Sequence, residues 1–195
     1  MNIVNAGSRF QVYGEDVRTF KELPVGSYDV GFHPMQGFWL QSREDLVVRE
    51  EKIYGSHVSR VEKVLSAYEA SDRNLGVILS GQKGIGKSLF ARVLAEKAIE
   101  VGLPLINVSM PIDGIANFLS TIHQQVVVLF DEFEKVFVKT QEGDPQTELL
   151  GLFDGTDAGK KLFVITCNDF TKLNEFFLNR PGRFHYHFML QALNK

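Results

Sequence analysis

The sequence predicts an α/β fold in which a central parallel sheet is covered by helices on both faces. Two observations lead to this fold class. Strand-length runs of apolar residues recur along residues 53–195, and stretches with helical periodicity separate them. Because both faces of such strands are apolar, they are typical of a parallel sheet buried between two layers of helices. The predicted strands span residues 76–80, 105–109, 126–130, 162–166 and 184–190.

The helices between these strands follow from spacing and from end signals. In residues 57–70, apolar side chains three or four positions apart form one face, which includes Val61 and Tyr68. A second helix over residues 87–101 ends before Gly102, a residue type that often terminates helices. Two further helices are predicted over residues 114–123 and near residues 147–153.

Residues 1–52 have a different pattern from the rest of the chain. Short extended stretches alternate there with turn clusters rich in Pro and Gly, at residues 23–26 and 33–37. We expect these residues to form a small β-rich segment beside an α/β core of residues 53–195. The predicted extended stretches are residues 10–13, 27–32 and 38–41.

The composition limits the function classes. Apolar residues make up 44% of the 195 residues and charged residues 23%, as in an ordinary globular domain. The net charge of −3 provides no field for wrapping nucleic acid nonspecifically. A single cysteine, Cys167, excludes an internal disulfide, and the N-terminus lacks the pattern of a signal peptide, so we expect an intracellular, cytoplasmic protein. No apolar run approaches the ~18 residues that cross a bilayer, so no membrane anchor is expected.

A glycine-rich loop is the strongest functional signal in the sequence. Residues 81–88 read GQKGIGKS, fit the pattern G-x-x-x-x-G-K-[ST], and lie between a predicted buried strand and a predicted helix. The glycines let successive backbone N–H groups point at phosphate oxygens, and the following helix adds its positive end. Lys87 supplies a mobile charge for the β- and γ-phosphates, and the Ser88 hydroxyl can bind Mg²⁺. The predicted nucleotide-binding residues here are Gly81, Gln82, Lys83, Gly84, Ile85, Gly86, Lys87, Ser88 and Leu89.

The predicted strand over residues 126–130 is followed directly by two acids, Asp131 and Glu132. Ligands of α/β folds bind at the carboxyl ends of the strands, so we expect both carboxylates near the glycine-rich loop. Asp131 is expected to hold Mg²⁺, and Glu132 to orient and polarise an attacking water. An acidic helix N-cap without a catalytic part is the alternative interpretation of the pair. Beside the loop, the acids favour Mg²⁺-dependent hydrolysis of a nucleoside triphosphate.

Four segments in one order resemble the core of the AAA+ ATPases. They are GQKGIGKS at residues 81–88, VVVLFDE at 126–132, FVITCN at 163–168 and RPGRF at 180–184. The resemblance covers about residues 53–190. It implies a P-loop NTPase core of three layers, ATP and Mg²⁺ as cofactors, and the phosphate-loop strand in the centre of the sheet. The sequence leaves no room for the helical lid of the family after the last predicted strand, so we expect either a truncated chain or a protein that works without a lid.

The resemblance also implies roles for single residues. Asn168 is implied to be a polar sensor next to the γ-phosphate, and Arg180 and Arg183 to reach into the nucleotide site of a neighbouring subunit. The segment that is similar to the adenine-contacting segment of the family consists of Ile53, Tyr54 and Gly55. A helix-entry turn is the alternative interpretation of that segment.

These features favour an oligomeric ATPase, in a hexameric ring or a filament, that remodels a protein or nucleic-acid partner. An oligomer is expected because a guanidinium supplied by a neighbour stabilises charge on the transferring phosphoryl group. A nucleotide-gated scaffold that assembles on ATP with little turnover is the alternative. Glu132 and the two arginines favour the ATPase, since a scaffold needs neither. A small-molecule kinase that shares the phosphate loop is a third interpretation, and no membrane partner is expected.

Overall fold

The computed structural model describes residues 1–6, 8–44, 46, 48, 56–141, 143–155, 159–178 and 183–191. The strands are β1 (Asn2–Ala6), β2 (Arg9–Tyr13), β3 (Ser27–His33), β4 (Gly37–Arg43), β5 (Leu75–Ser80), β6 (Leu105–Val108), β7 (Val126–Phe130), β8 (Lys161–Cys167) and β9 (Tyr186–Met189). The helices are α1 (His57–Ala70), α2 (Lys87–Glu100), α3 (Ile115–Ser120), α4 (Phe133–Val136), α5 (Pro145–Glu148), α6 (Leu150–Asp154) and α7 (Glu175–Leu178). Within these described ranges, no helix is both long enough and apolar enough to cross a membrane.

Seven strands form the central sheet, in the order β4-β3-β6-β7-β8-β5-β9. Neighbouring strands are parallel, except that β3 and β4 form an antiparallel hairpin. The strands β7, β8 and β5 lie next to one another in the sheet and are parallel, so their carboxyl ends meet at one edge of the sheet. The predicted α/β fold class is confirmed by this mostly parallel sheet and its flanking helices.

The helices cover both faces of the sheet and bury two separate apolar clusters. In β7, Val127 and Leu129 belong to the cluster that includes α1 and α2. The alternate residues Val126, Val128 and Phe130 belong to the cluster on the other face, with α3, α4, α6 and α7. Successive side chains of a strand point to opposite faces, so a continuous apolar strand fills both clusters at once. Each fully buried large side chain contributes about 1.5–3 kcal/mol.

The N-terminal strands form two hairpins with different surroundings. β1 and β2 pair in a two-stranded sheet of their own, whereas β3 pairs in parallel with β6 and extends the central sheet. Gln124 holds the entry to β3, because its side chain accepts from the Leu23 N–H at 2.7 Å and donates to the Leu23 carbonyl at 2.9 Å. The predicted division after residue 52 stays a prediction, since residues 49–55 lie outside the described residues.

The phosphate-loop strand β5 does not lie in the centre of the sheet, so the central position that the resemblance implies is wrong. It is sixth of the seven strands, with only β9 beyond it, and without the β3–β4 hairpin it would still be fourth of five. Gly76 of β5 allows the chain entering β9 to approach closely: a Cβ there would lie 2.2 Å from the carbonyl oxygen of Arg183. The Gly76 carbonyl accepts from the His185 N–H at 2.9 Å, which aligns β9 with β5.

The predicted helix near residues 147–153 is two short helices, α5 and α6. Asp144 caps α5 by accepting from the Gln146 N–H at 3.0 Å. The buried Gln146 side chain then donates to the Phe137 carbonyl at 2.9 Å and accepts from the Asn174 N–H at 2.7 Å. Tertiary hydrogen bonds therefore hold the first turn in place, which helical spacing does not reveal. Strand β1 was not predicted from the sequence.

Candidate functional site

The glycine-rich loop joins β5 to α2, and α2 begins at Lys87. Gly86 precedes it with φ of 101°, in the left-handed region that favours glycine, and its carbonyl accepts from the Phe90 N–H at 3.0 Å. The His57 ring packs against this position, since a Cβ on Gly86 would lie 3.0 Å from Nε2 of His57. Burial, followed by the nearby Arg60, lowers the pKa of His57. The N-terminus of a 14-residue helix therefore faces the loop, as an anion site requires.

Lys87 connects the loop with the neighbouring strand β8. Its ammonium Nζ donates to the carbonyls of Gly81 at 2.6 Å and Gln82 at 3.0 Å, and to Oδ1 of Asn168 at 2.9 Å. The residue is only 7% exposed. The ammonium is thus held at the carboxyl edge of the sheet by three oxygen acceptors, where the positive charge can bind phosphate oxygens.

The two acids after β7 share one hydroxyl partner, Thr166 of β8. The Thr166 hydroxyl donates to Oδ1 of Asp131 at 2.5 Å, and its oxygen accepts from the backbone N–H of Glu132 at 2.9 Å. Among the residues that the structure describes, Glu132 is the only non-glycine residue with positive φ, at 48°. Such a conformation costs about 1–3 kcal/mol and persists where neighbouring contacts hold it, often at functional sites.

The Glu132 side chain lies between a lysine and the amide of Asn168. Its Oε1 accepts from Nζ of Lys135 at 2.6 Å and from Nδ2 of Asn168 at 3.4 Å. The Lys135 hydrogen bond is the main reason why the pKa of Glu132 is lowered, with smaller contributions from Asn168 and from the charge of Lys83. The carboxylate is therefore deprotonated at neutral pH and can polarise a water molecule.

Asn168 has a second acidic partner that the sequence interpretation missed. Oε1 of Glu134 accepts from the Asn168 backbone N–H at 2.8 Å and from its Nδ2 at 3.0 Å. Thr166 was missed as well. The signal that could have identified Thr166 is a hydroxyl in an otherwise apolar strand, and for Glu134 it is a third acid in the sequence DEFE.

Ser88 and Asp131 are the predicted Mg²⁺ ligands, and their chemistry fits that ion. Both supply oxygen, which Mg²⁺ prefers, and Mg²⁺ is usually held by one or two protein groups together with substrate phosphates. Ser88 lies in the first turn of α2, and Asp131 directly follows β7. The described residues contain no group of three or more His, Cys, Asp or Glu that could hold a metal ion.

The structure corrects the interpretation of Arg183. This residue is 4% exposed, and its guanidinium forms two hydrogen bonds with Asp154, of which the Nη2 to Oδ2 distance is 2.6 Å. Nη1 donates to the Phe176 carbonyl at 2.8 Å. A buried guanidinium that is bound within its own chain does not extend toward a neighbouring subunit. Arg180, the other predicted arginine, lies outside the described residues.

The segment predicted to contact adenine, Ile53, Tyr54 and Gly55, also lies outside the described residues. Beside the phosphate loop, a cavity of about 460 Å³ opens between the ends of β5, β8 and β9. Its lining includes Gly81, Gln82, Ile85, Asn168, Phe170 and Leu190. The structure therefore brings the loop and Asn168 together around open space.

Comparison with known proteins matches this sequence to a family. Residues 77–192 match the family described as "ATPase family associated with various cellular activities (AAA)". A protein of Symbiobacterium thermophilum named ATP-dependent zinc metalloprotease FtsH 1 is 31% identical over 134 residues. That match covers 57% of this chain and 22% of the relative, so the match spans about a fifth of the relative's length.

Proposed function

Because the chain belongs to the ATPase family associated with various cellular activities (AAA), we propose that it hydrolyses ATP with Mg²⁺ as cofactor. The observation that carries this proposal is the position of Asn168 between a cation and a carboxylate. Its Oδ1 lies 2.9 Å from Nζ of Lys87, and its Nδ2 lies 3.4 Å from Oε1 of Glu132. The Lys87 ammonium, which binds the phosphates, and the Glu132 carboxylate, which acts as a base for the water, are thus both in contact with the Asn168 amide.

Binding uses the loop and the two oxygen ligands. The phosphates of ATP lie along residues 81–88, where the N–H groups at the start of α2 and the Lys87 ammonium face them. Ser88 and Asp131 would hold Mg²⁺, which would supply positive charge to the bound phosphates. The Thr166 hydroxyl keeps the Asp131 carboxylate turned toward this site through its 2.5 Å hydrogen bond.

Glu132 and Asn168 act on the water and the γ-phosphate. The Glu132 carboxylate accepts a hydrogen bond from the water, while the Asn168 amide holds Lys87 and Glu132 in position beside the γ-phosphate. A bond forms between the water oxygen and the γ-phosphorus, and the bond between that phosphorus and the bridging oxygen of ADP breaks. The proton leaves the water through the Glu132 carboxylate to solvent, and the products are ADP and inorganic phosphate.

The proposal includes an oligomer, a hexameric ring or a filament, in which Arg180 acts on the nucleotide of a neighbouring subunit. Arg180 lies three positions before Arg183 in the sequence, and Arg183 is held within its own chain by Asp154. Hydrolysis then serves to remodel a partner. The name of the relative, an ATP-dependent metalloprotease, favours a protein over a nucleic acid as that partner.

The test is steady-state release of inorganic phosphate over a range of protein concentrations, with calorimetric ATP binding measured in parallel. We expect turnover per subunit to increase with protein concentration. Glu132→Gln should bind ATP with unchanged affinity and turn over about 10²–10⁴-fold more slowly, because the amide cannot accept a proton. ATP binding without turnover in the wild-type protein at every concentration would contradict the proposal and support a nucleotide-gated scaffold.

A further inference from the structure

Glu134 is a buried acid of α4, and its two carboxylate oxygens differ in their hydrogen bonds. Oε1 accepts both hydrogen bonds from Asn168, one from the backbone N–H at 2.8 Å and one from Nδ2 at 3.0 Å. Oε2 is buried and has no hydrogen-bond partner among the residues that the structure describes. The residue is only 7% exposed. An apolar side chain could fill this volume without burying a polar oxygen, so the contribution of the acid lies in its two bonds to Asn168.

The Nδ2 bond to Glu134, together with the Lys87 bond to Oδ1, determines which way the Asn168 amide faces. With Nδ2 bound to Glu134, Oδ1 is turned toward Lys87, whose Nζ donates to it at 2.9 Å. A half-turn of the amide would place Oδ1 against the Glu134 carboxylate and Nδ2 against the Lys87 ammonium. Two acceptors would then face each other on one side and two donors on the other. The charged groups on opposite sides therefore select a single orientation.

The other acid near Asn168 cannot replace Glu134 in this role. Oε1 of Glu132 lies 3.4 Å from Nδ2 of Asn168, at the limit of a hydrogen bond, and already accepts from Lys135 at 2.6 Å. The Glu132 side chain is also 43% exposed, so its position is less restricted than that of Glu134.

We propose that Glu134 is a positioning residue that fixes the orientation of the Asn168 amide at the phosphate site without contacting the nucleotide itself. The kinetic consequence rests on the proposed ATPase function, whereas the orientation does not depend on it. Glu134→Met keeps the length of the side chain and removes the acceptor. Glu134→Gln keeps an acceptor oxygen for Asn168 and removes the charge.

The first readout is the side-chain amide signal of Asn168 in the ¹⁵N–¹H spectrum of the whole chain, assigned by its absence from Asn168→Leu. In Glu134→Met, we expect this signal to shift and its hydrogen exchange to accelerate at least about tenfold, because a buried hydrogen bond is lost. Glu134→Gln should keep the wild-type signal. The matched control Glu175→Met, an exposed acid that borders the same cavity as Glu134, should also keep it.

An unchanged Asn168 signal in a folded Glu134→Met protein overturns the proposal. Should that variant fail to give a dispersed spectrum, Glu134→Ala takes its place with the same expected shift, because its smaller side chain introduces no steric conflict.

The second readout is the kcat of ATP hydrolysis, which distinguishes a positioning role of Glu134 from a merely structural one. Glu134→Met should lower kcat about tenfold to a hundredfold with little change in ATP affinity, since the Asn168 amide is then misplaced. Glu134→Gln should restore most of kcat. Combined with Asn168→Leu, Glu134→Met should cause no further loss, because Glu134 acts through Asn168. Additive losses of kcat overturn the proposal. If the wild-type protein does not turn over ATP, only the proposed ATPase function is contradicted, and the spectra then decide whether Glu134 positions Asn168.

Discussion

Nζ of Lys87 donates to Oδ1 of Asn168 at 2.9 Å, and this contact joins two residues that are 81 positions apart in the sequence. It forms because β5 and β8 are neighbours in the sheet, with Ser80 paired to Cys167 at their carboxyl ends. The residues that follow these two strands therefore lie side by side at the edge of the cavity beside the loop.

Replacing Lys87 with alanine should weaken ATP binding at least about tenfold, because each charge-assisted hydrogen bond to phosphate is worth about 1.5–3 kcal/mol. Isothermal titration with ATP measures the change. Lys97→Ala is the matched control, since Lys97 lies on the same helix but pairs with Glu100 at the far end. Equal affinities of Lys87→Ala and the control would show that phosphate does not bind at the loop.

Lys135→Met should shift the acidic side of the pH profile of kcat toward higher pH. The Lys135 hydrogen bond lowers the pKa of Glu132, so the wild-type carboxylate stays deprotonated below its usual range and turnover falls only as pH drops through that lowered pKa. Without Lys135 the pKa returns toward its usual value, and turnover is lost at higher pH. Any stability from this exposed pair is likewise present above the usual pKa and lost on acidification.

The control for this profile is Lys139→Met, which removes an exposed lysine three residues beyond α4. The acidic side of the pH profile of kcat of Lys139→Met should coincide with that of the wild-type protein. A profile of Lys135→Met that coincides with both would show that Glu132 protonation does not limit turnover.

Thr166→Val should lower both stability and Mg²⁺-dependent turnover. The methyl group fills the space of the hydroxyl, but Oδ1 of Asp131 loses its donor and the Glu132 N–H loses its acceptor. We expect a loss of about 1–3 kcal/mol in the free energy of unfolding, measured by urea denaturation. Thr166→Ser keeps the hydroxyl and should retain most of the turnover. If valine and serine variants behave alike, the hydroxyl does not organise the two acids.

Substitution of the two arginines should affect two different properties, stability for Arg183 and turnover for Arg180. Arg183→Met removes the ion pair with Asp154 and the hydrogen bond to the Phe176 carbonyl, and we expect a loss of about 2–3 kcal/mol in the free energy of unfolding, given that Asp154 is partly exposed. Arg180→Ala should keep the wild-type stability and ATP affinity but lower turnover. Mixing Arg180→Ala with Lys87→Ala should recover activity, because the Lys87 variant offers an intact arginine to the intact site of the other. No recovery in confirmed mixed oligomers would place Arg180 outside the neighbouring site.

The two N-terminal hairpins should respond differently to deletion. Removing residues 1–22 takes away β1 and β2, which pair only with each other, and should change the melting temperature by a few degrees at most. Removing residues 1–43 also takes away β3 and exposes the edge of β6, so cooperative thermal unfolding should be lost. Circular dichroism measures both. A stable protein without residues 1–43 would show that the central sheet does not need its β3–β4 edge.

The fold class and the phosphate loop could be predicted because both depend on residues that are close together in the sequence. A buried strand requires a continuous apolar run, as in residues 126–130, and a phosphate loop requires glycines and a lysine between one strand and the next helix. The positions of Asp131 and Glu132 follow from the end of the same strand. Their catalytic roles, like that of Arg180, stay predictions.

The sequence by itself determined the strands β5 to β9 and the helices α1 to α3, their order and the residue types at the ends of β5, β7 and β8. Only the tertiary structure decided which groups meet there: Thr166 with Asp131, Glu134 with Asn168, and Arg183 with Asp154 rather than with a neighbouring subunit. It also decided that β3 joins the sheet beside β6. The physical reason is that strand order and side-chain burial arise from contacts between distant segments, and the same local pattern is compatible with an arginine turned outward or inward.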